Sequence, residues 1–276
     1  MKTKGVFLVA FGKRGYGIAA FNLCCSIKHR NPNIHITLLT DGEAISQTSE
    51  IDRVVDNILI HDQPIGSPGE FKISVYDKLP YDYNLYLDVD AYASKDLMPL
   101  IDRLAAEYES DPSKYYRTYV HEWYAADSPD VLPQMFWAKK STIWNHYGFT
   151  KEQFPATQSS IQFVVKCEKS KQFFDSLQHT MNNNPIPLDE LTNIWGDSQP
   201  DELYLNVTIA QKGIAPDIDH SCMVFANNKH LSWTHAKAGF DLVSFFGVKR
   251  QLRNTYFEAY NKEIAGHKKA LGLNHK

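Results

Sequence analysis

The sequence predicts an α/β fold with an open, mostly parallel sheet flanked by helices. Through the first hundred residues, short apolar, β-favouring runs alternate with helical patterns. One such run, Tyr83-Asn84-Leu85-Tyr86-Leu87, stops abruptly at Asp88-Val89-Asp90. Sheets of this kind bind ligands at the carboxyl ends of their strands. The chain has 276 residues, 43% hydrophobic and 22% charged, as expected for one globular domain of ordinary make-up.

Residues 5–10 read as the first strand, followed by a flexible basic loop through Gly12, Lys13, Arg14, Gly15 and Gly17. A helix follows over 18–29, with Ala19, Leu23 and Ile27 on one face, and Asn31-Pro32-Asn33 ends it. Residues 34–39 form the second strand, Thr40-Asp41-Gly42 turns off its end, and residues 54–60 form the third. From Lys72 to Asp82 the pattern is a short helix and a turn, leading into the strand that ends at Asp88. Another helix starts at Met98-Pro99-Leu100. Periodicity is patchy over 115–149, where strands at 116–121 and 134–139 and a helix at 141–147 are expected. Beyond it come a strand at 160–167 and a helix at 168–182 that buries Phe173, Phe174 and Leu177. A helix at 202–212, short strands at 215–218 and 223–226, and mixed helix over 242–264 complete the reading. No internal repeat or low-complexity linker interrupts it.

A net charge of −3 offers no global case for nucleic acid or a membrane surface. The first apolar run is too short for a signal peptide, and no run approaches the ~18 apolar residues of a membrane span. The four cysteines form no C-x-x-C pair, so neither a disulfide scaffold nor a zinc knuckle is expected. The expected compartment is the cytoplasm, or a host's cytoplasm for a viral protein.

The acidic pair carries the first chemical signal. Strand side chains alternate with period two, so Asp88 and Asp90 can project the same way. Converging carboxylates repel unless a proton or cation sits between them. Hard divalent cations take carboxylate oxygens and can carry phosphates at the same time. The pair therefore points to a metal that holds a diphosphate. Gly12-x-x-Gly15-x-Gly17 lacks the G-x-G-x-x-G spacing of dinucleotide enzymes, and Asp41 after strand two is its only further support.

Over residues 5–240 the order of signals resembles the GT-A glycosyltransferases, nucleotide-sugar transferases with a Rossmann-like sheet. It is closest in style to family 8-like and related bacterial or viral members. Four elements carry the resemblance. The first is Val9-Ala10-Phe11-Gly12 with Tyr16, where the family packs a nucleobase and ribose against Ala10, Phe11, Gly12 and Tyr16, with Asp41 nearby. The second is Lys72 followed by Tyr81-Asp82-Tyr83-Asn84 and the strand to Asp88-Val89-Asp90, similar to a basic residue, a "PYD" turn and a DxD motif. The third is Asp201-Glu202-Leu203-Tyr204-Leu205-Asn206, similar to the segment that opens a helix beneath the donor sugar. Upstream, Gln158-Ser159-Ser160 stands where relatives place a small polar turn, without their Asn-x-Gly. The fourth is the run from His230 to Gly239, where His235 and Lys237 match a metal-ligating histidine and a diphosphate lysine, without the Lys-Pro-Trp tail.

The resemblance implies a central, mostly parallel sheet flanked by helices, a mixed acceptor-side sheet and a helical C-terminal tail. It implies a catalytic domain over 1–240, with a nucleotide half at 1–100 and an acceptor half at 101–240, and an extension at 241–276 packed on the same domain. The implied cofactor is Mn²⁺ or Mg²⁺ on Asp88, Asp90 and His235, with His230 the competing ligand. The implied donor is a nucleoside diphosphate sugar, a uridine one expected, whose diphosphate meets Asp88, Val89, Lys72 and Lys237. Asp201 and Glu202 are the candidate catalytic carboxylates, and hexosyl or pentosyl transfer with inversion or retention stays open.

Two acceptors compete. A glycan or lipid-linked saccharide would stack on Trp123, Tyr124, Phe136, Trp137 or Trp144. A hydroxylated base in phage-type modified DNA would suit Lys139, Lys140 and the tail, where residues 247–276 hold seven Lys or Arg against two Glu, a net +5. That tail could also touch an anionic membrane surface. A sugar nucleotidyltransferase and a non-catalytic sugar-binding module are the alternative functions.

Overall fold

Buried apolar runs and amphipathic stretches set the element order. The elements are β1 (Lys4–Ala10), α1 (Arg14–Arg30), β2 (Ile36–Thr40), α2 (Gly42–Ile45), β3 (Asn57–Ile60), α3 (Pro68–Ile73), β4 (Tyr83–Asp88), β5 (Ala91–Ala93) and α4 (Met98–Ser110). They continue with β6 (Tyr116–Tyr124), α5 (Lys140–Tyr147), β7 (Phe154–Val165), α6 (Glu168–Asn183), α7 (Asp201–Lys212), β8 (Met223–Phe225), α8 (Trp233–Gly239), β9 (Leu242–Ser244) and α9 (Thr255–Ala270). The computed structural model describes residues 2–12, 14–46, 48–61, 68–124, 137–149, 154–192, 199–225, 232–245 and 255–273. The chain divides into two compact units: Met1–Asp62, Pro80–Glu107 and Asp219–Lys276 form the first, Gln63–Leu79 and Tyr108–Ile218 the second. This grouping differs from a division at residue 100, because the chain leaves the first unit and returns to it.

In the first unit, four strands lie parallel in the order β3-β2-β1-β4. Val6 stands opposite Ile36 on one side and Leu85 on the other. All of β2 and the first five residues of β4 are buried, which is why they read as continuous apolar runs. The helix α1 buries Ala20, Leu23, Cys24 and Ile27 at 3–4 spacing; Leu23 and Ile27 lie on the expected stripe, and Ala19 is half-buried at its edge. Gly17 lets α1 approach α2: a Cβ there would lie 1.8 Å from the Ala44 carbonyl oxygen.

The first unit also holds a small mixed sheet, in which β9 pairs antiparallel with β5 and parallel with β8. α8 and α9 cover it through a cluster of Tyr92, Val224, Trp233, Ala236, Val243, Phe245, Tyr260 and Ile264. Here the expected mixed helix over 242–264 is corrected. Leu242–Ser244 is a strand, because its β-favouring apolar residues find two strand partners. The helix starts at Thr255, and 246–254 lie outside the described residues.

The second unit is built on the antiparallel pair β6 and β7 with α3, α5, α6 and α7. β7 begins at Phe154, six residues before the expected strand, and all twelve residues are buried. Gln158-Ser159-Ser160 is therefore inside a strand and not a separate turn. It is still irregular: the register jumps from Thr118 opposite Gln162 to Tyr119 opposite Gln158, so 159–161 bulge out. The Thr118 hydroxyl lies 3.2 Å from the Gln158 carbonyl and 2.9 Å from that of Ile161, so the bulge is braced from the partner strand. The expected strand at 215–218 reduces to one bridge between Asp217 and Thr118, because Gly213 ends α7 in a left-handed conformation close before it. Of the expected strand at 134–139, residues 134–136 lie outside the described residues, Ala138 bridges Leu191, and Lys140 opens α5.

Candidate active site

Three elements of the second unit meet at the head of α7. The last turn of α3 supplies Lys72, the β7 bulge supplies Ser159, and the first turn of α7 supplies Asp201 and Glu202. Lys72 Nζ lies 3.6 Å from Asp201 Oδ2 and donates to Ser159 Oγ at 3.5 Å. Ser159 Oγ is 3.3 Å from Asp201 Oδ2 and 3.2 Å from Glu202 Oε1. A hydroxyl has one proton, so it donates to one carboxylate at a time. The Ser159 N–H donates to Glu202 Oε1 at 3.2 Å, and Trp137 Nε1 donates to Glu202 Oε2 at 3.4 Å.

Glu202 is only 4% exposed, so these donors are what make a buried carboxylate tolerable. Both acids also gain from the positive end of the α7 dipole. One turn further on, Asn206 Oδ1 accepts from the Thr157 N–H at 3.1 Å and from its hydroxyl at 2.6 Å. Beneath the cluster, burial keeps the Tyr116 phenol protonated well above its ordinary range, and its hydroxyl donates to Gln162 at 3.0 Å.

Trp137 has φ of 60°, a left-handed conformation that costs a non-glycine residue about 1–3 kcal/mol. Its carbonyl accepts from the Thr192 N–H at 2.6 Å, and the neighbouring Ala138 and Leu191 form a bridge. The chain around it therefore holds the indole against Glu202. The other expected aromatic platforms differ. Trp144 is buried against Phe149 and Phe154 and belongs to the core. Trp123 donates to Asp217 at 3.1 Å and Tyr124 to Glu122 at 2.7 Å, while Phe136 lies outside the described residues.

In the first unit, the end of β1 and the turn after β2 come together. Gly12, at φ 74°, donates its N–H to Asp41 Oδ2 at 2.8 Å, a backbone conformation that suits glycine. Asp41 Oδ1 caps α2 by accepting from the Ala44 N–H at 2.8 Å. Phe11, next to Ala10, meets His61 edge-on at 5.9 Å, and Tyr16 is half-buried in the first turn of α1. Asp88 closes β4 opposite Val9, and Asp88 and Asp90 are half-buried on either side of a buried Val89. The Tyr86 hydroxyl donates to Asp88 Oδ1 at 3.2 Å, and the Phe245 N–H donates to the Asp90 carbonyl at 2.7 Å.

Paired carboxylates are hard oxygen donors, the chemistry that Mn²⁺ and Mg²⁺ prefer. Among the described residues no group of three His, Cys, Asp or Glu stands together as an ion site. His235 is exposed on α8, with Nδ1 2.6 Å from Ser232 Oγ, and His230 lies outside the described residues. Lys237 pairs with Glu263 of α9 and stands 5.8 Å from the centre of the Trp233 ring. Of the tail's basic residues, Lys268 covers the Phe21 ring at 4.7 Å, and 249–253 lie outside the described residues.

No protein-family model and no curated protein matches the chain. Solved structures do. The galactosyltransferase LgtC, in a complex with donor and acceptor sugar analogs, superposes with a TM-score of 0.61 at 13% identity, covering 98% of this chain and 97% of LgtC. The glycosyltransferase GlyE of Streptococcus pneumoniae TIGR4 gives 0.57 at 15% identity, covering 99% of this chain and 65% of GlyE. Mouse xyloside xylosyltransferase 1 gives 0.53 at 7% identity, covering 89% and 98%.

The fold is that of the GT-A glycosyltransferases. Within the GT-A fold, the expected site residues other than Tyr16, His235 and Lys237 fall into two groups. Lys72, Asp201 and Glu202 meet in one hydrogen-bonded cluster. Ala10, Phe11, Gly12, Asp41, Asp88, Val89 and Asp90 lie at or beside strand ends of the parallel sheet. Ser159 as the link between Lys72 and both carboxylates was not legible as such. Its signal is a run of four polar residues, Thr157 to Ser160, ahead of an apolar strand.

Proposed function

We propose that the chain is a metal-dependent glycosyltransferase that moves a sugar from a nucleoside diphosphate donor, a uridine one, to a saccharide hydroxyl. The observation that carries this reading is the cluster of Lys72, Ser159, Asp201 and Glu202 at the head of α7 in a GT-A fold. An ammonium and two acidic groups set side by side can meet the phosphates and the hydroxyls of one donor. Asp201 accepts donor hydroxyls, while buried Glu202 orients Ser159 and Trp137. Lys72 adds positive charge for the leaving phosphate. Trp137, half-exposed beside Glu202, offers an indole face to the acceptor sugar.

Mn²⁺ or Mg²⁺ held by Asp88 and Asp90, with His235 or His230 as the third ligand, would supply Lewis-acid charge for the departing diphosphate. In the transfer, a bond forms between the acceptor oxygen and the anomeric carbon as the bond from that carbon to the diphosphate oxygen breaks. With Asp201 ion-paired and Glu202 buried, the leaving diphosphate takes the acceptor proton, and attack from the face it leaves would give the retaining course.

A screen of nucleotide sugars for thermal stabilisation tests the reading, since a ligand that binds the native state raises its apparent stability. A uridine diphosphate sugar should raise Tm with Mn²⁺ and much less with EDTA. Asp88→Asn and Asp90→Asn should each remove the metal-dependent part. Stabilisation that ignores both EDTA and these substitutions would sink the metal role. Binding with no release of nucleotide would mark a binding module.

A further inference from the structure

The two acids of the proposed metal site are carried by different sheets of the first unit. Asp88 ends β4 of the parallel sheet, opposite Val9. Asp90 leads directly into β5 of the small mixed sheet. Its carbonyl accepts from the Phe245 N–H at 2.7 Å, one step past the pairing of Ala91 with Ser244. Only Val89 separates the two anchor points. The place of Asp90 relative to Asp88 therefore depends on how the small sheet is held.

It is held from α9. Phe245 is 8% exposed, and its ring meets Tyr260 of α9 at 4.7 Å and Trp233 of α8 at 6.2 Å. Tyr92, two residues after Asp90, meets the same two rings at 6.0 and 5.0 Å. Tyr260 thus packs on aromatic residues of β5 and of the end of β9, on both sides of Asp90. Burial pushes the Tyr260 phenol up to about 12, a hydrogen bond with Asn22 opposes the rise, and Asp90 is among the charges that add to it. The carboxylate is therefore within electrostatic reach of α9. Close-packed interiors transmit displacement, and a deleted ring leaves a cavity into which its neighbours shift.

We infer that the ring of Tyr260 positions Asp90 for the divalent cation, so that binding of the ion and docking of α9 strengthen each other. The inference rests on the metal reading of Asp88 and Asp90. If docking raises the affinity for the ion, the ion must stabilise docking by the same factor.

Mn²⁺ titrated into the full chain without nucleotide, with the paramagnetic resonance of the free ion giving Kd, tests the first half. Tyr260→Phe keeps the ring and should stay within about twofold of the unsubstituted chain, while Tyr260→Leu should bind about 10-fold more weakly. Amide hydrogen exchange of the unsubstituted chain tests the second half, and it stands even if Tyr260→Leu does not fold. Mn²⁺ should slow exchange in α9 and leave α6 of the second unit unchanged, and the slowing should vanish in Asp90→Asn. Equal Kd values for Tyr260→Leu and the unsubstituted chain, or equal losses in Tyr260→Leu and Tyr260→Phe, would overturn the role of the ring and leave the metal site standing. So would α9 exchange that ignores the ion or slows no more than that of α6. Failure of the unsubstituted chain to bind Mn²⁺ at all would overturn the metal reading itself, and this inference with it.

Discussion

Ser159 holds the α7 cluster together. Its backbone N–H and hydroxyl reach Glu202, and its hydroxyl also lies between Lys72 and Asp201. Lys72 and Asp201, 3.6 Å apart and each about a quarter exposed in the side chain, should act as a unit and not as two separate groups. Lys72→Ala and Asp201→Asn are each expected to lower kcat/KM for sugar transfer by about 10². The double variant should fall well short of the product of the two losses, because each single change already leaves the other charge without its counterpart. Initial rates for the four proteins decide the matter: losses that multiply would mean that the residues work apart. At this scale the chemistry of the site was partly legible. Residue type singled out Lys72, Asp201 and Glu202, but the serine that links them lies in another element, and contacts of that kind leave no period in the sequence.

Elements with a long period were legible; of the three-residue strands, β8 was expected at 223–226 and β5 and β9 were not. β1, α1, β2 and β4 follow from apolar runs and a helical stripe that persist for a turn or more. β9 is three residues long and takes its identity from β5 and β8, so nothing local separates it from the start of a helix. β7 hides its first half behind Thr157, Gln158, Ser159 and Ser160, which are buried and polar and hydrogen-bond to one another or to α7. α9 is held by its apolar face against α8 and β9, since Ile264, 4% exposed, packs in the cluster with Tyr92 and Trp233. Ile264→Ala should cost about 2–5 kcal/mol, the usual price of truncating a buried aliphatic side chain. Lys262, two residues away on the opposite side of the helix and exposed, should tolerate alanine within about 0.5 kcal/mol. Denaturant melts of the two variants give both numbers, and equal effects would mean that α9 is not docked through Ile264.

Across the whole chain, distant segments meet around Tyr92. Its hydroxyl donates to Glu263 at 2.6 Å, lies 2.9 Å from His267 Nε2 and accepts from Arg30 at 3.2 Å. His267 stacks on His29 at 4.0 Å, and Lys237 pairs with Glu263. Helices from the start and the end of the chain and β5 are thus joined by one polar network, which no local pattern could announce. Tyr92 has one proton and gives it to Glu263, so a neutral His267 donates from Nε2. Burial, and then the charge of His29, Arg30 and Lys237, push the His267 imidazole down to about 4, against the opposing pull of Glu263. An unfolded histidine titrates near 6.5. Between those values the unfolded chain binds the proton and the folded chain does not, so stability must fall as pH drops from about 6.5 towards 4. Above about 6.5 neither state is protonated at this residue and the effect vanishes. His267→Gln keeps a polar group at the network without a titrating imidazole, and should flatten the fall in Tm between pH 6.5 and 4.5 while lowering Tm at pH 7.5. Melting curves of the two proteins at a series of pH values decide it: parallel profiles would show that the acid sensitivity arises elsewhere. A steeper fall in the variant would show that the folded network prefers the charged ring, opposite in sign to the burial argument.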